Sequence, residues 1–152
     1  MKQIKKFKLK DFKKNGGRLI AIPFNKKFFF KVERIFYIYG KKFLKRGNHA
    51  HKKCSQVFIP IMGKIKLTVK SVDKTKIINL DHRNKNGVLI PPKLWCGVDF
   101  LTDNSVLMVI CDMDYDYNDY LETFEEFIKY NKKINEFTNN RRFWTYWLVR
   151  NS

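Results

Sequence analysis

Two histidines separated by one residue, His49 and His51 in RGNHAHKKCSQVFIPIMG (46–63), are the residues of this chain best suited by type and spacing to move protons. On an extended strand residues i and i+2 face the same side, so both imidazoles reach one site. Imidazole titrates near neutrality, and two of them can take a proton from one atom and return it to its neighbour. The third histidine, His82, lies in the polar stretch DHRNKNG. Tyr37 and Tyr39 share one face of the preceding β-rich run, where a phenol can donate to a developing oxyanion or to a ligand hydroxyl. Arg34, Arg46 and Lys53 flank these elements and offer charge-assisted hydrogen bonds to phosphate, for which a guanidinium is well shaped. Trp95 is a candidate to pack over a ligand ring or to fill the mouth of the fold.

The elements that position these residues are mostly strands. Up to about residue 111, short β-branched and aromatic runs are separated by Gly, Pro, Asn and Asp, the spacing of a β-sandwich or barrel. LIAIPF (19–24) reads as a short strand and FFFKVERIFYIY (28–39) as a long one, followed by a loop over 40–48. SQVFIPIM (55–62) reads as a buried strand and KIKLTVK (64–70), alternating Ile65, Leu67 and Val69 with lysines, as a half-exposed one. KIINL (76–80) returns from a hairpin turn, GVLIPP reaches a corner at Pro91 and Pro92, and VLMVICD (106–112) is short enough for a core strand. From Asn118 the spacing of Tyr120, Leu121, Phe124, Phe127, Ile128 and Ile134 predicts one C-terminal helix, acidic early and basic late.

Composition bounds the function. A chain of 152 residues, 44% apolar, fits one domain with a sizeable core. The net charge of +18 comes from lysines spread from Lys2 to Lys133. That distribution favours a solvated surface and anionic small ligands over nucleic acid. Cys54, Cys96 and Cys111 lack the spacing of a disulfide framework or zinc knuckle and read as reduced thiols. No apolar run has the length of a signal peptide core or a membrane span, so a cytoplasmic location without membrane insertion is expected.

The chemistry-bearing block resembles the first motif of the cupin superfamily, with His49, His51, Gln56 and Gly63 at its positions, and Pro91 and Cys96 match the second. Two of the four metal-ligand positions therefore hold Gln56 and Cys96 instead of a carboxylate and a histidine, and no metal is expected. A closer resemblance spans nearly the first 130 residues. RIFYIYG, RGNHAHKK, the Gln of SQVF, PPKLW, VLMVICD and DYDYNDYLETFEEF are similar to the sugar 3,4-ketoisomerases acting on dTDP-4-keto-6-deoxyglucose. That resemblance implies an all-β cupin double-stranded β-helix (jelly-roll barrel) with a C-terminal helix, spanning 1–134. Residues 135–152 are then an aromatic, basic extension that packs on the barrel or on a partner subunit. It also implies a homodimer and a dTDP-3-keto-6-deoxyhexose product that feeds 3-amino-3,6-dideoxy sugar synthesis.

Moving a ketone from C4 to C3 is redox-neutral, so no cofactor is called for, and no dinucleotide-binding glycine pattern is present. The expected catalytic residues are His49 and His51, with neither assigned as base or shuttle, and Tyr37. Arg34, Tyr39, Arg46, Lys53, Gln56 and Trp95 are the expected substrate contacts. Two other classes compete. A cupin nucleotide-sugar 3,5-epimerase also removes a proton beside a ketone, and a basic β-barrel that binds nucleic acid would use the lysines but leaves the HAH spacing unexplained.

Overall fold

The structure is a computed structural model describing residues 4–25, 28–134 and 136. Two five-stranded antiparallel sheets enclose the main core. The first has the order β1 (Lys5–Lys8), β9 (Asn86–Ile90), β6 (Gln56–Met62), β11 (Ser105–Cys111), β4 (Arg34–Gly40). The second has the order β12 (Tyr120–Leu121), β5 (Lys45–His51), β10 (Trp95–Phe100), β7 (Lys64–Lys70), β8 (Thr75–Asp81). A separate hairpin is made by β2 (Lys10–Lys14) and β3 (Gly17–Ala21). From β4 to β7 the chain crosses between sheets at every strand, turns at the β7–β8 hairpin, and crosses back through β9, β10 and β11. This is the expected jelly-roll, and it leaves β4 and β12–β5 as facing sheet edges.

Side-chain alternation explains which strands read clearly. In β7, Ile65, Leu67 and Val69 point inward and the lysines outward. β11 is buried on both faces, because the outer face of its sheet is covered as well. There Val57, Ile59, Met108 and Ile110 pack against Leu9, Phe28, Phe30 and Val32. The aromatic run 28–33 is therefore not strand, as its propensity predicts, but an irregular segment laid across the sheet, and β4 begins only at Arg34. The predicted loop 40–48 likewise gives way to β5 from Lys45.

The C-terminal helix, α1 (124–134), starts later than the apolar spacing predicts. Asp116 accepts a hydrogen bond from the Asn118 N–H and caps a 3-10 turn over Tyr117–Asp119, and Tyr120 and Leu121 pair with β5. Thr123 and Glu126 then exchange side-chain to backbone hydrogen bonds in a capping box that opens α1. Phe127 on this helix packs with Ala50, Trp95 and Leu121 on the outer face of the second sheet. No helix among the described residues is long and apolar enough to cross a membrane. Residue 135 and residues 137–152, most of the sequence-predicted extension, lie outside the described residues.

Candidate active site

The site begins with a bulge in β5. Gly47 and Asn48 both have positive φ, 71° and 57°, and the β5–β10 register slips at this point, so that Cys96 faces His49 and Gly97 faces Gly47. A Cβ on Gly47 would lie 2.8 Å from the Cys96 carbonyl oxygen, which explains the glycine of RGN. Beyond the bulge the His49 and His51 rings share a side, their centroids 5.1 Å apart and their planes nearly perpendicular. Tyr120, the partner of His51 across β12–β5, lies 4.9 Å from the His49 ring and 4.4 Å from the His51 ring.

His51 is held from behind. Its Nδ1 lies 2.8 Å from Asp119 Oδ2, and Asp119 also accepts the backbone N–H groups of Lys53 at 2.7 Å and Cys54 at 3.2 Å. Both residues are buried. A carboxylate surrounded by donors accepts the imidazole proton, so Nδ1 carries the hydrogen and Nε2 keeps its lone pair. That Nε2 is buried with no hydrogen-bond partner among the described residues. Burial pushes the pKa of both histidines below the ordinary value of 6.5. The His51 neighbour lowers His49 further, whereas the Asp119 hydrogen bond and charge oppose burial at His51 without outweighing it. Both rings are therefore neutral at neutral pH, the state in which an imidazole accepts a proton.

Next to the histidines, one row crosses the first sheet: Arg34 pairs with Cys111, and Cys111 with Gln56. Arg34 Nη2 lies 3.6 Å and Gln56 Nε2 3.7 Å from Cys111 Sγ, and the guanidinium stands over the rings of Phe36 and Tyr115. A hydrogen bond from Cys54 draws the Cys111 thiol below the ordinary cysteine range against the opposing effect of burial, with Arg34 and Gln56 assisting, and the same bond holds the Cys54 thiol well above it. The four positions that hold a metal in oxidising cupins do not fit one here. Gln56 brings no charge and spends its amide on Cys111, and Cys96 stands where those sites have a histidine.

A cavity of about 700 Å³ opens between β4 and β5. Five of the sequence-predicted residues line it: Tyr37, Tyr39, Arg46, His49 and Gln56, joined by Cys96 and Tyr120. Tyr37 and Tyr39 border it from the outer face of β4, more than half exposed, while Phe36 and Ile38 between them point into the barrel, so the alternation turns both phenols away from the interior the sequence assigned them to. His51 is one layer deeper, behind His49 and Tyr120. Three predicted contacts are not in the lining. Arg34 is tied to Cys111, Lys53 points to solvent, and Trp95 packs beneath α1 against Phe124 and Phe127. Sequence reasoning missed Asp119 and Tyr120, which reach the site from 68 and 69 residues beyond His51 through the β12–β5 pairing. The available signal was the acidic-aromatic DYNDY itself, with no periodicity to aim it.

The family described as FdtA: WxcM-like, C-terminal matches residues 2–132. A TDP-4-oxo-6-deoxy-alpha-D-glucose-3,4-oxoisomerase from Aneurinibacillus thermoaerophilus is 33% identical over 132 residues, covering 84% of this chain and 94% of that protein. The sugar 3,4-ketoisomerase QdtA from Thermoanaerobacterium thermosaccharolyticum, solved in complex with TDP, superposes with a TM-score of 0.81 at 32% identity, over 88% of this chain and 97% of that one. A variant of QdtA was solved with TDP-4-keto-6-deoxyglucose and gives the same TM-score at 31% identity, over 88% and 96% of the two chains. The WlaRB TDP-quinovose 3,4-ketoisomerase from Campylobacter jejuni superposes at 0.77 with 28% identity, over 85% and 99% of the two chains.

Proposed function

This chain belongs to the FdtA, WxcM-like family, and from that membership we infer that it is a TDP-sugar 3,4-ketoisomerase, moving the ketone of TDP-4-keto-6-deoxyglucose from C4 to C3. The observation that carries the site assignment is a neutral His49 in the cavity wall, backed by a second neutral histidine whose Nδ1 is bonded to Asp119. His49 takes the proton from C3, the electron pair closes a C3–C4 double bond, and the C4 carbonyl oxygen becomes the oxygen of an enediol. Return of a proton to C4 and loss of the O3 proton then leave the ketone at C3, with atoms and electrons balanced. His51 is the relay for the second proton, its ring orientation set by Asp119. Arg46 and Gln56, in the cavity wall, meet the rest of the substrate, and Tyr37 and Tyr39 border its mouth from the outer face of β4.

The product, with its ketone at C3, suits later amination at that carbon. We assign the enzyme to the cytoplasm and to a homodimer. Supporting the dimer are apolar side chains exposed on the outer face of β4 and on the β2–β3 hairpin, Ile35, Tyr37, Phe12 and Leu19 among them. A solution mass of one chain by light scattering counts against it.

The test of the reaction is NMR of the protein incubated with TDP-4-keto-6-deoxyglucose in deuterated water. A 3-keto product with solvent deuterium at C4 is expected. Deuterium entering C5 instead identifies a 3,5-epimerase, and unchanged turnover after replacing both His49 and His51 by Ala removes the site assignment.

A further inference from the structure

We infer that His51, Cys54 and Asp119 form a binding site for a single zinc-like divalent ion, set one layer behind the cavity, and that an ion there withdraws His51 from proton transfer. The second half rests on the role proposed above for His51, and the first half does not.

One donor atom from each of the three residues lies within 4.8 Å of the other two, and all three residues are buried. The backbone already brings them together. Asp119 is tied to the segment after β5 through the N–H groups of Lys53 and Cys54, and its own carbonyl oxygen accepts the Lys52 N–H at 2.8 Å. Zinc bonds of about 2.0 to 2.3 Å in tetrahedral geometry put donor atoms roughly 3.5 Å apart, so closing the cluster takes side-chain shifts of about an ångström. A nitrogen, a sulfur and an oxygen donor select zinc over magnesium or calcium, which take oxygen ligands. Carboxylate and thiolate together cancel the ion's double charge, which a buried site requires.

This set is not the one that the superfamily's metal positions would use. It shares only His51 with them and draws its other donors from a loop and from the turn before β12. Binding expels the Cys54 thiol proton to solvent, which the ion must do against the Cys111 hydrogen bond and the burial that hold this thiol well above the ordinary cysteine range. Coordination through Nδ1 moves the imidazole hydrogen to Nε2, the atom that otherwise keeps the lone pair. A bound ion thus turns the relay nitrogen from acceptor into donor.

The experiment uses the full chain, stripped with chelator, titrated with Zn²⁺ by calorimetry and with Co²⁺ by absorption, alongside turnover assays. One ion per chain and a near-ultraviolet thiolate-to-cobalt band are expected. Cys54→Ala should lose the band and weaken zinc by about tenfold or more. It should resist zinc inhibition, and because its backbone N–H still serves Asp119 its metal-free turnover should stay within several-fold of wild type despite the lost bond to Cys111. Cys54→Ser, closer in shape, serves if the alanine variant does not fold. Cys96→Ala should keep the band. Absence of stoichiometric binding overturns the site, as does a band that survives Cys54→Ala or vanishes with Cys96→Ala. An ion bound through Cys54 with turnover untouched supports the site and removes His51 from the isomerisation.

Discussion

Toward the β4 end where Gly40 meets Phe100, the barrel interior is held by fit, whereas at the Arg34 end it is held by hydrogen bonds. A Cβ on Gly40 would lie 2.4 Å from the Phe100 ring, and Phe100, Ile65 and Leu107 are fully buried around it. At the other end of the same strands Arg34, Cys111, Gln56, His51 and Asp119 are drawn inside and joined by the bonds described above. Apolar packing specifies volume and leaves chemistry neutral, while buried hydrogen bonds specify orientation, which proton transfer needs. The two ends are therefore open to separate attack.

The largest effect is expected at the polar end. His49→Asn should lower kcat/KM by about a hundred- to ten-thousandfold in steady-state assays, with little change in melting temperature. Phe100→Ala should do the reverse, costing about 3 to 5 kcal/mol of stability in denaturant unfolding while turnover per folded molecule is retained. If Phe100→Ala abolishes turnover in folded protein, the two ends are coupled and the contrast fails.

Asp119→Asn sharpens the contrast, since it keeps size and removes charge. Turnover should fall by about ten- to a hundredfold. The pH profile supplies the next test. In the wild type, falling pH protonates rings that must be neutral, so the acid limb of kcat/KM should lie below the ordinary histidine value of 6.5. Asp119 raises the His51 pKa, so in Asp119→Asn an acid limb set by His51 should move lower still, and a shift to higher pH contradicts the pairing. The smallest effect belongs to the rim. Tyr37→Phe and Tyr39→Phe, both more than half exposed on the outward side of β4, should each change kcat/KM by less than about twofold.

The same contrast decides what the sequence disclosed. β7 was legible because lysines alternate with Ile65, Leu67 and Val69, and β6 and β11 because they are apolar after their first residue. The run 28–33 misled because the same aromatic residues that favour strands also serve as a cover for one, and Phe28, Phe30 and Val32 do the latter. β5 was half legible: its Lys45–Asn48 portion carries no alternation and contains the bulge. In the site, His49 and His51 announce themselves by their spacing within one strand. Asp119 and Tyr120 do not, since their meeting with His51 depends on a two-residue pairing that no local pattern specifies. Arg34, Lys53 and Trp95 had the right chemistry near the right segments, but charge and aromaticity do not reveal which way a side chain turns.

That two-residue pairing has a consequence for synthesis. The carboxylate that orients His51 is made 68 residues after it, when the strands through β11 have already left the ribosome's peptidyl-transferase centre. Strands β1 to β11, which give the protein its shape, are thus translated before the carboxylate that aligns the imidazole, so shape and competence are written in separate stretches of the chain.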